Sequence, residues 1–400
     1  MTATHAPAAA STSPRVRFNI FEHLSGRMRL VPVLASLLLV WLFFWVQQTA
    51  FLSPRNLTNL VMQTVVVATL ALGLVLVLLV AEIDLSVAAL SGAAAVIAGR
   101  LATDQGWSPV LACVVALAFG VLWGLMQGTI VRYGAPSFIV TLGGSLALGG
   151  ILLWLLPDAG QISLANSSLR FIAGAYLDRS VGWALALAVI VGYGVNCWTQ
   201  YRARRRVGLD ASVPMHLVLP VAMVAVGTLV AVYVLNSYRG VPVVVAILMA
   251  LLVSLSYLST QTRWGLRIYA VGGNREAAQR AGIPVTRTLL WCFAAAGFFA
   301  ALGGIFAASR LLGVSNQSGG GSLLLEAIAA AVIGGTSLFG GRGTVWSALL
   351  GALVIGSISN GMDLLGYPTE AKLAATGAIL VLATLSDVVI SRGSLRWPRQ

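Results

Sequence analysis

The chain has 400 residues, 58% of them hydrophobic and 9% charged, and its mean hydropathy is +0.90. A soluble domain carries about 25% charged residues, so a water-facing globule is excluded. A net charge of +13 would suit a nucleic-acid binder, but the basic residues gather at the ends of apolar runs and form no continuous stripe, so no nucleic-acid partner is expected.

In chain order, residues 1–29 are a polar leader, "MTATHAPAAASTSP", followed by Arg15, Arg17, Arg27 and Arg29. The leader has no early apolar core, and nothing near Ala50 has the small-x-small form of a cleavage site. The first apolar run therefore reads as an uncleaved helix behind a largely disordered cytoplasmic tail. Twelve apolar runs follow, at 30–50, 57–80, 86–103, 108–131, 137–156, 182–200, 214–235, 241–259, 287–308, 323–339, 345–362 and 371–390. A helix that crosses the bilayer needs roughly 20 such residues. Backbone groups in lipid must pair within their own segment unless a barrel closes, and the two-residue alternation of barrel strands is absent. The expected fold is all-α: a polytopic bundle of about twelve transmembrane helices spanning 30–390.

Orientation follows from the cations. With the N-terminus inside, 18 Lys and Arg residues lie on cytoplasmic segments and 7 outside, the asymmetry of a correctly threaded chain. Both termini are then cytoplasmic, with a C-terminal tail at 391–400, and the glycine-rich spans near 323–362 are the ones open to being partly broken. Gly120, Gly124 and Gly128 recur every four residues, giving a smooth face on which a neighbouring backbone can approach.

Polar residues in or beside the spans are few. Glu82 and Asp84 lie at the cytoplasmic end of the second span, as caps of the next span or as parts of a path. Glu326 opens the tenth span after "NQSGGGS"; it either complements the helix dipole or gates the outer mouth. Gln63 and Asn360 can donate hydrogen bonds to a hydroxylated ligand. The outer segment Pro157 to Ser180, with Asp158, Arg170, Asp178 and Arg179, is either a solvated loop or a rim for an external partner. Cys113, Cys197 and Cys292 have no pairing or metal-ligand spacing, and His5, His23 and His216 stand apart, so neither a metal site nor a catalytic set is expected.

The loop 260–286 interrupts the apolar pattern with "AVGGNREAAQRAGI". Asn274 suits an N-cap, Glu276 and Arg280 have the favoured i, i+4 polarity, and Gly282 suits the residue that ends a helix. Ala277, Ala278 and Ala281 would form a smooth exposed face. From the residues alone, this is either a helix built to enter another protein's groove or a solvated bridge between two spans.

"GLRIYAVGGNREAAQRAGIPVTR" (Gly265 to Arg287) resembles the cytoplasmic coupling loop of ribose/xylose-type sugar permeases, the membrane subunits of bacterial ATP-binding-cassette (ABC) importers. "IDLSV" (Ile83 to Val87), "PSFIVTLG" (Pro136 to Gly143) and "EAIAAAVIGGTSLFGGRGTVWSALLGALVIGSISNG" (Glu326 to Gly361) resemble other segments of that family in the same order. The extra pair of spans around 182–235 and the ending "LATLSDVVISR" look most like its xylose-type branch. The chain departs from the family at Glu82 and Ala88, where glycine is usual, and in Leu324-Leu325-Glu326, which keeps only the second of two nearby acidic residues that the family often has. A further departure is Gly149-Gly150, where an arginine-glycine pair is usual.

The resemblance implies a non-catalytic subunit of the cell inner membrane that imports a monosaccharide such as xylose. It implies a second copy of the permease, a periplasmic or extracellular sugar-binding protein, surrounding lipid, and a separate ABC ATPase that holds the ATP and magnesium. Gly272, Gly273, Asn274, Glu276, Ala277, Ala278, Arg280, Ala281 and Gly282 would form the ATPase-coupling helix and its caps, while Gln63, Asp84, Ser86, Glu326 and Asn360 are candidates for the path or its gates. A phosphate-binding loop needs G-x-x-x-x-G-K-[ST], and the only lysine, Lys372, lies in "TEAKLA", so ATP must be hydrolysed elsewhere. The alternative is an ion-coupled secondary carrier. Such carriers usually keep ionisable groups near the midplane, whereas the carboxylates here lie near span ends.

Overall fold

The structure, a computed structural model, describes residues 30–208 and 213–395. The expected N-terminal tail and residues 396–400 lie outside the described residues. The first half contains α1 (Leu30–Gln47), α2 (Pro54–Leu79), α3 (Val87–Thr103), α4 (Pro109–Arg132), α5 (Ser137–Leu155), β1 (Gln161–Ser163), α6 (Arg170–Gly174) and α7 (Arg179–Arg206). The second half contains α8 (Leu219–Asn236), α9 (Val243–Gln261), α10 (Arg263–Gly273), α11 (Arg275–Arg280), α12 (Val285–Leu311), β2 (Gly313–Ser315), α13 (Leu323–Ile333), α14 (Trp346–Leu364) and α15 (Thr369–Leu395). A π-helical turn, Pro214–Val218, leads into α8.

Each expected apolar run carries a helix. Among the described residues, eight helices are long and apolar enough to cross a membrane, and Val33–Gln47, Val87–Thr103 and Leu323–Ile333 are shorter apolar helices. Two of the long ones start by the same device. Ser53 accepts a hydrogen bond from the Asn56 amide ahead of Pro54, and Ser108 accepts one from the Leu111 amide ahead of Pro109. In both, a side-chain oxygen satisfies an orphan first-turn amide and proline occupies a position whose missing N–H costs nothing.

The core is built on α2 and α12, with α3, α13 and α14 packed around them and α4 laid along α12. The expected glycine face of α4 makes this last contact: a Cβ at Gly124 would lie 2.1 Å from the Phe293 carbonyl oxygen. By contrast, α7 and α8 pack mostly on each other. Their outward side chains, such as Leu187, Val191, Met223 and Val226, are exposed and apolar, as a lipid-facing surface must be.

Of two loops, one breaks a span where a partial break was open and the other is more ordered than a plain solvated loop. The tenth apolar run stops being helical at Ile333, short of the expected 339, and the chain crosses to α14 without helix. The glycines of "GGTSLFGGRGT" turn the backbone there, and their groups pair elsewhere: the Ser337 amide with the Arg342 carbonyl, and the Gly341 amide with the Leu79 carbonyl, each at 2.9 Å. The segment Pro157 to Ser180 is folded rather than loosely solvated. β1 pairs antiparallel with β2, Ile162 facing Val314, and Ser309 Oγ accepts from the Ala173 amide while donating to the Leu169 carbonyl. Ile162, Leu164 and Leu169 are buried under this cap, while Asp158, Arg170, Asp178 and Arg179 stay at the surface.

Candidate functional site

Three groups of residues stand apart in this fold: a junction around α11, a buried polar turn between α2 and α3, and a cavity at the far ends of α2 and α12. The local sequence dictates most of the junction. Thr262 caps α10, and Asn274 caps α11 by accepting the Ala277 amide at 2.9 Å. Glu276 and Arg280 pair at 3.5 Å on the solvent side, and Gly282 takes φ +77. The chain then enters α12 at Val285.

One expectation about α11 is corrected. Ala277 and Ala281 are exposed, but Ala278 is 5% exposed and belongs to the main apolar core. A six-residue helix lying on the bundle must seat one side, and Ala278 is the small residue that lets it approach. The outward surface therefore includes Glu276, Ala277, Gln279, Arg280 and Ala281.

Below α11 the backbones touch with no side chains between them. A Cβ at Gly272 would lie 1.7 Å from the Leu79 carbonyl oxygen, so only glycine permits this approach of α10 to the end of α2. Tyr269 donates its hydroxyl to the Gly343 carbonyl at 3.0 Å, tying α10 to the loop before α14. Burial raises the Tyr269 phenol above its ordinary value, which keeps it a donor. Glu82, beyond the end of α2, accepts from Arg275 at 2.9 Å.

The turn between α2 and α3 is non-helical and buries Glu82, Asp84 and Ser86 while Ala81 and Ile83 stay exposed, and several of its amides find side-chain partners. Ser137 Oγ and Thr141 Oγ1 of α5 accept from the Ile83 and Leu85 amides at 3.3 and 3.1 Å. Asp84 Oδ1 accepts from the Ser86 amide and hydroxyl at 2.8 and 2.7 Å, and Gln127 of α4 donates to Ser86 Oγ at 3.0 Å. Burial pushes the Asp84 carboxyl up from its ordinary value, and the two bonds from Ser86 oppose that shift. The sequence candidates Asp84 and Ser86 thus meet each other and Gln127. None of the three lines the cavity.

The cavity, of about 330 Å³, has Gln63, Arg310, Ser318, Glu326, Ser359 and Asp363 among its lining residues. That volume lies at the lower end of small-molecule sites, roughly 300–1,000 Å³. Glu326 accepts from Ser322 Oγ at 2.5 Å, and Asp363 pairs with Lys372 of α15. The wall therefore offers both donors and acceptors, as hydroxyl recognition requires. Two sequence candidates, Gln63 and Glu326, meet here. Asn360 does not: its side-chain oxygen accepts from Asn56 at 2.8 Å, away from the cavity.

Sequence reasoning missed Arg310 and Asp363 as cavity residues and Arg275 as the partner of Glu82. The first two were legible in principle as ionisable residues at the ends of apolar runs. The third pair is separated by 193 positions and had no local signal beyond the unusual residue at 82.

Comparison with known proteins gives relationships along nearly the whole chain. The family model described as "Branched-chain amino acid transport system / permease component" matches residues 56–384. The chain is similar to the xylose transport system permease protein XylH of Escherichia coli (strain K12), 40% identical over 92% of this chain and 94% of the relative. It is 37% identical to the XylH of Haemophilus influenzae, over 92% and 98% of the two chains. The ribose import permease protein RbsC of Bacillus subtilis (strain 168) is 30% identical over 91% and 94%. No solved structure matches the chain.

Proposed function

The chain belongs to the branched-chain amino acid transport system / permease component family, and we propose that it is the non-catalytic permease of an ABC importer whose cargo is a pentose, xylose first. The observation that carries this is its near full-length relationship to permeases named for xylose. The cavity is compatible with a sugar, because Gln63, Arg310, Glu326 and Asp363 offer the donors and acceptors that a hydroxylated ligand needs.

In this reading a soluble binding protein delivers the sugar at the cavity end, two permease copies form the path, and a separate ATPase with its ATP and magnesium grips α11. The protein sits in the cell inner membrane with twelve spans and both termini cytoplasmic. Gly272, Gly273, Asn274, Glu276, Ala277, Arg280, Ala281 and Gly282 form the coupling helix and its caps, with Ala278 seating it. Asp84 and Ser86 brace the turn behind it. Gln63 and Glu326 contact the sugar, and Asn360 holds the wall behind them. The mechanism follows from continuity. α12 starts three residues beyond Gly282 and ends at Arg310 and Leu311 in the cavity wall, and α2 continues from Gln63 in that wall to its end at Leu79. Sixteen residues of helix cover about 24 Å, so a push on α11 reaches the cavity through two rigid rods.

The test is uptake of labelled xylose into proteoliposomes holding the permease and its ATPase, with binding protein and ATP supplied on their proper sides. Uptake that needs all three components is the expected result. Uptake that persists without the ATPase and collapses with an uncoupler would establish the secondary carrier instead.

A further inference from the structure

The turn at the end of α2 holds several unusual features within a few residues. Ala81 is a non-glycine residue with φ +61, its neighbourhood closed by Gly340, and Glu82 follows it with a side chain only 11% exposed. Such backbone persists only where its surroundings over-determine it. Here they do: the Glu82 amide donates to the Val77 carbonyl at 3.1 Å, and the Gly341 amide donates to the Leu79 carbonyl. The Glu82 carboxylate is thereby aimed at α11, where Arg275 meets it.

We propose that Glu82 and Arg275 are a positioning pair that locks the coupling helix to the central helix α2, so that displacement of α11 by the ATPase is transmitted to α2 as well as to α12. The proposal rests on the coupling reading above. α12 is joined to α11 covalently, whereas α2 meets this region through the Gly272 contact and this ion pair. A backbone contact without side chains resists compression but not withdrawal. The ion pair supplies the missing tether, since it resists separation. Arg275 is 49% exposed, so in the free permease the pair is screened and adds little to stability. A groove closing over α11 removes that water, and the attraction strengthens as the local dielectric falls. The tether would therefore tighten at the moment force is applied.

The experiment uses the whole complex in nanodiscs and measures sugar moved per ATP hydrolysed, alongside ATPase co-purification and melting temperature. Glu82→Gln and Arg275→Gln are each expected to lower the transport-to-hydrolysis ratio about fivefold, a coupling change at the lower end of the usual range. The reversed pair, Glu82→Arg with Arg275→Glu, is expected to restore most of it. Single variants that keep the wild-type ratio, or a reversed pair no better than the singles, would overturn the proposal. Ala277→Asp with Ala281→Asp separates this from the reading beneath it. If that variant still co-purifies with the ATPase, the coupling assignment itself fails. If it loses the ATPase while both single variants keep wild-type coupling, only the tether fails.

Discussion

The helices α2 and α8, the latter with its opening turn, have equally apolar stretches, yet 83% of that stretch is buried in the first and 6% in the second. In water such a pair could not exist, because hydropathy would drive both inside. In a bilayer the tails are as apolar as any core, so packing and polar partners sort the helices. α2 carries Thr58, Thr64 and Thr69, all buried and each returning its hydroxyl to the carbonyl four residues back at 2.7–2.8 Å. It also carries Gln63 to the cavity and ends at the junction below α11. α8 contributes no residue to the cavity. The comparison teaches that burial in this protein marks the elements that connect its two ends.

The strongest way to break that comparison is to overfill one glycine in each environment. Gly124→Leu drives a side chain into the α12 backbone and is expected to lower stability by about 3 kcal/mol, seen as a fall in melting temperature in detergent. Gly227→Leu in α8 meets nothing within 4 Å and is expected to cost nothing, since leucine favours helix over glycine. Equal losses would mean that α8 packs against something as tightly as α4 does.

Next in size is the outward face of α11. Ala277→Asp with Ala281→Asp is expected to cut transport about thirtyfold, the loss of a typical interface anchor of about 2 kcal/mol, while leaving the melting temperature unchanged. Ala278→Asp is expected to act the other way round, through a buried carboxylate that destabilises the fold before any partner is involved. Asp363→Asn and Glu326→Gln in the cavity are expected to reduce uptake about tenfold each, one charge-assisted hydrogen bond contributing about 1.5 kcal/mol. Thr228→Ala on α8 should leave uptake untouched.

The smallest expected effect is in pH dependence. Because burial raises the Asp84 carboxyl, its contribution to stability is complete below the unfolded carboxyl value of about 3.9 and is lost as pH rises through the raised value. Asp84→Asn keeps the acceptor for Ser86 and removes the ionisation. Its melting temperature is expected to exceed that of the unaltered protein above neutrality, and the difference should shrink as pH falls. A difference that is constant with pH would mean that Asp84 does not titrate in the folded protein.

Much of the fold is legible in the order of the residues. The apolar runs form helices, and Asn274, the Glu276–Arg280 pair and Gly282 take the local roles that their chemistry predicts. Such features depend on neighbours within a few positions, whose geometry the helix itself sets. The inward turn of Ala278, the docking of the glycine turn after Ile333 on the end of α2 and the separation of Asn360 from the cavity are not legible in that way. Each depends on what another part of the chain presents. In the last case that is Asn56, and in the second it is the end of α2, whose Leu79 carbonyl takes the Gly341 amide.

By itself the sequence determined which segments are apolar enough to leave water and where a capped polar helix interrupts them, because transfer free energies and first-turn capping are local quantities. Tertiary structure alone decided which of these equally apolar helices are central, which polar groups share a cavity, and that Glu82 reaches Arg275. Lipid and protein interior present nearly the same solvent to an apolar side chain. Only the close approach of particular backbones and the pairing of particular polar groups could tell those helices apart.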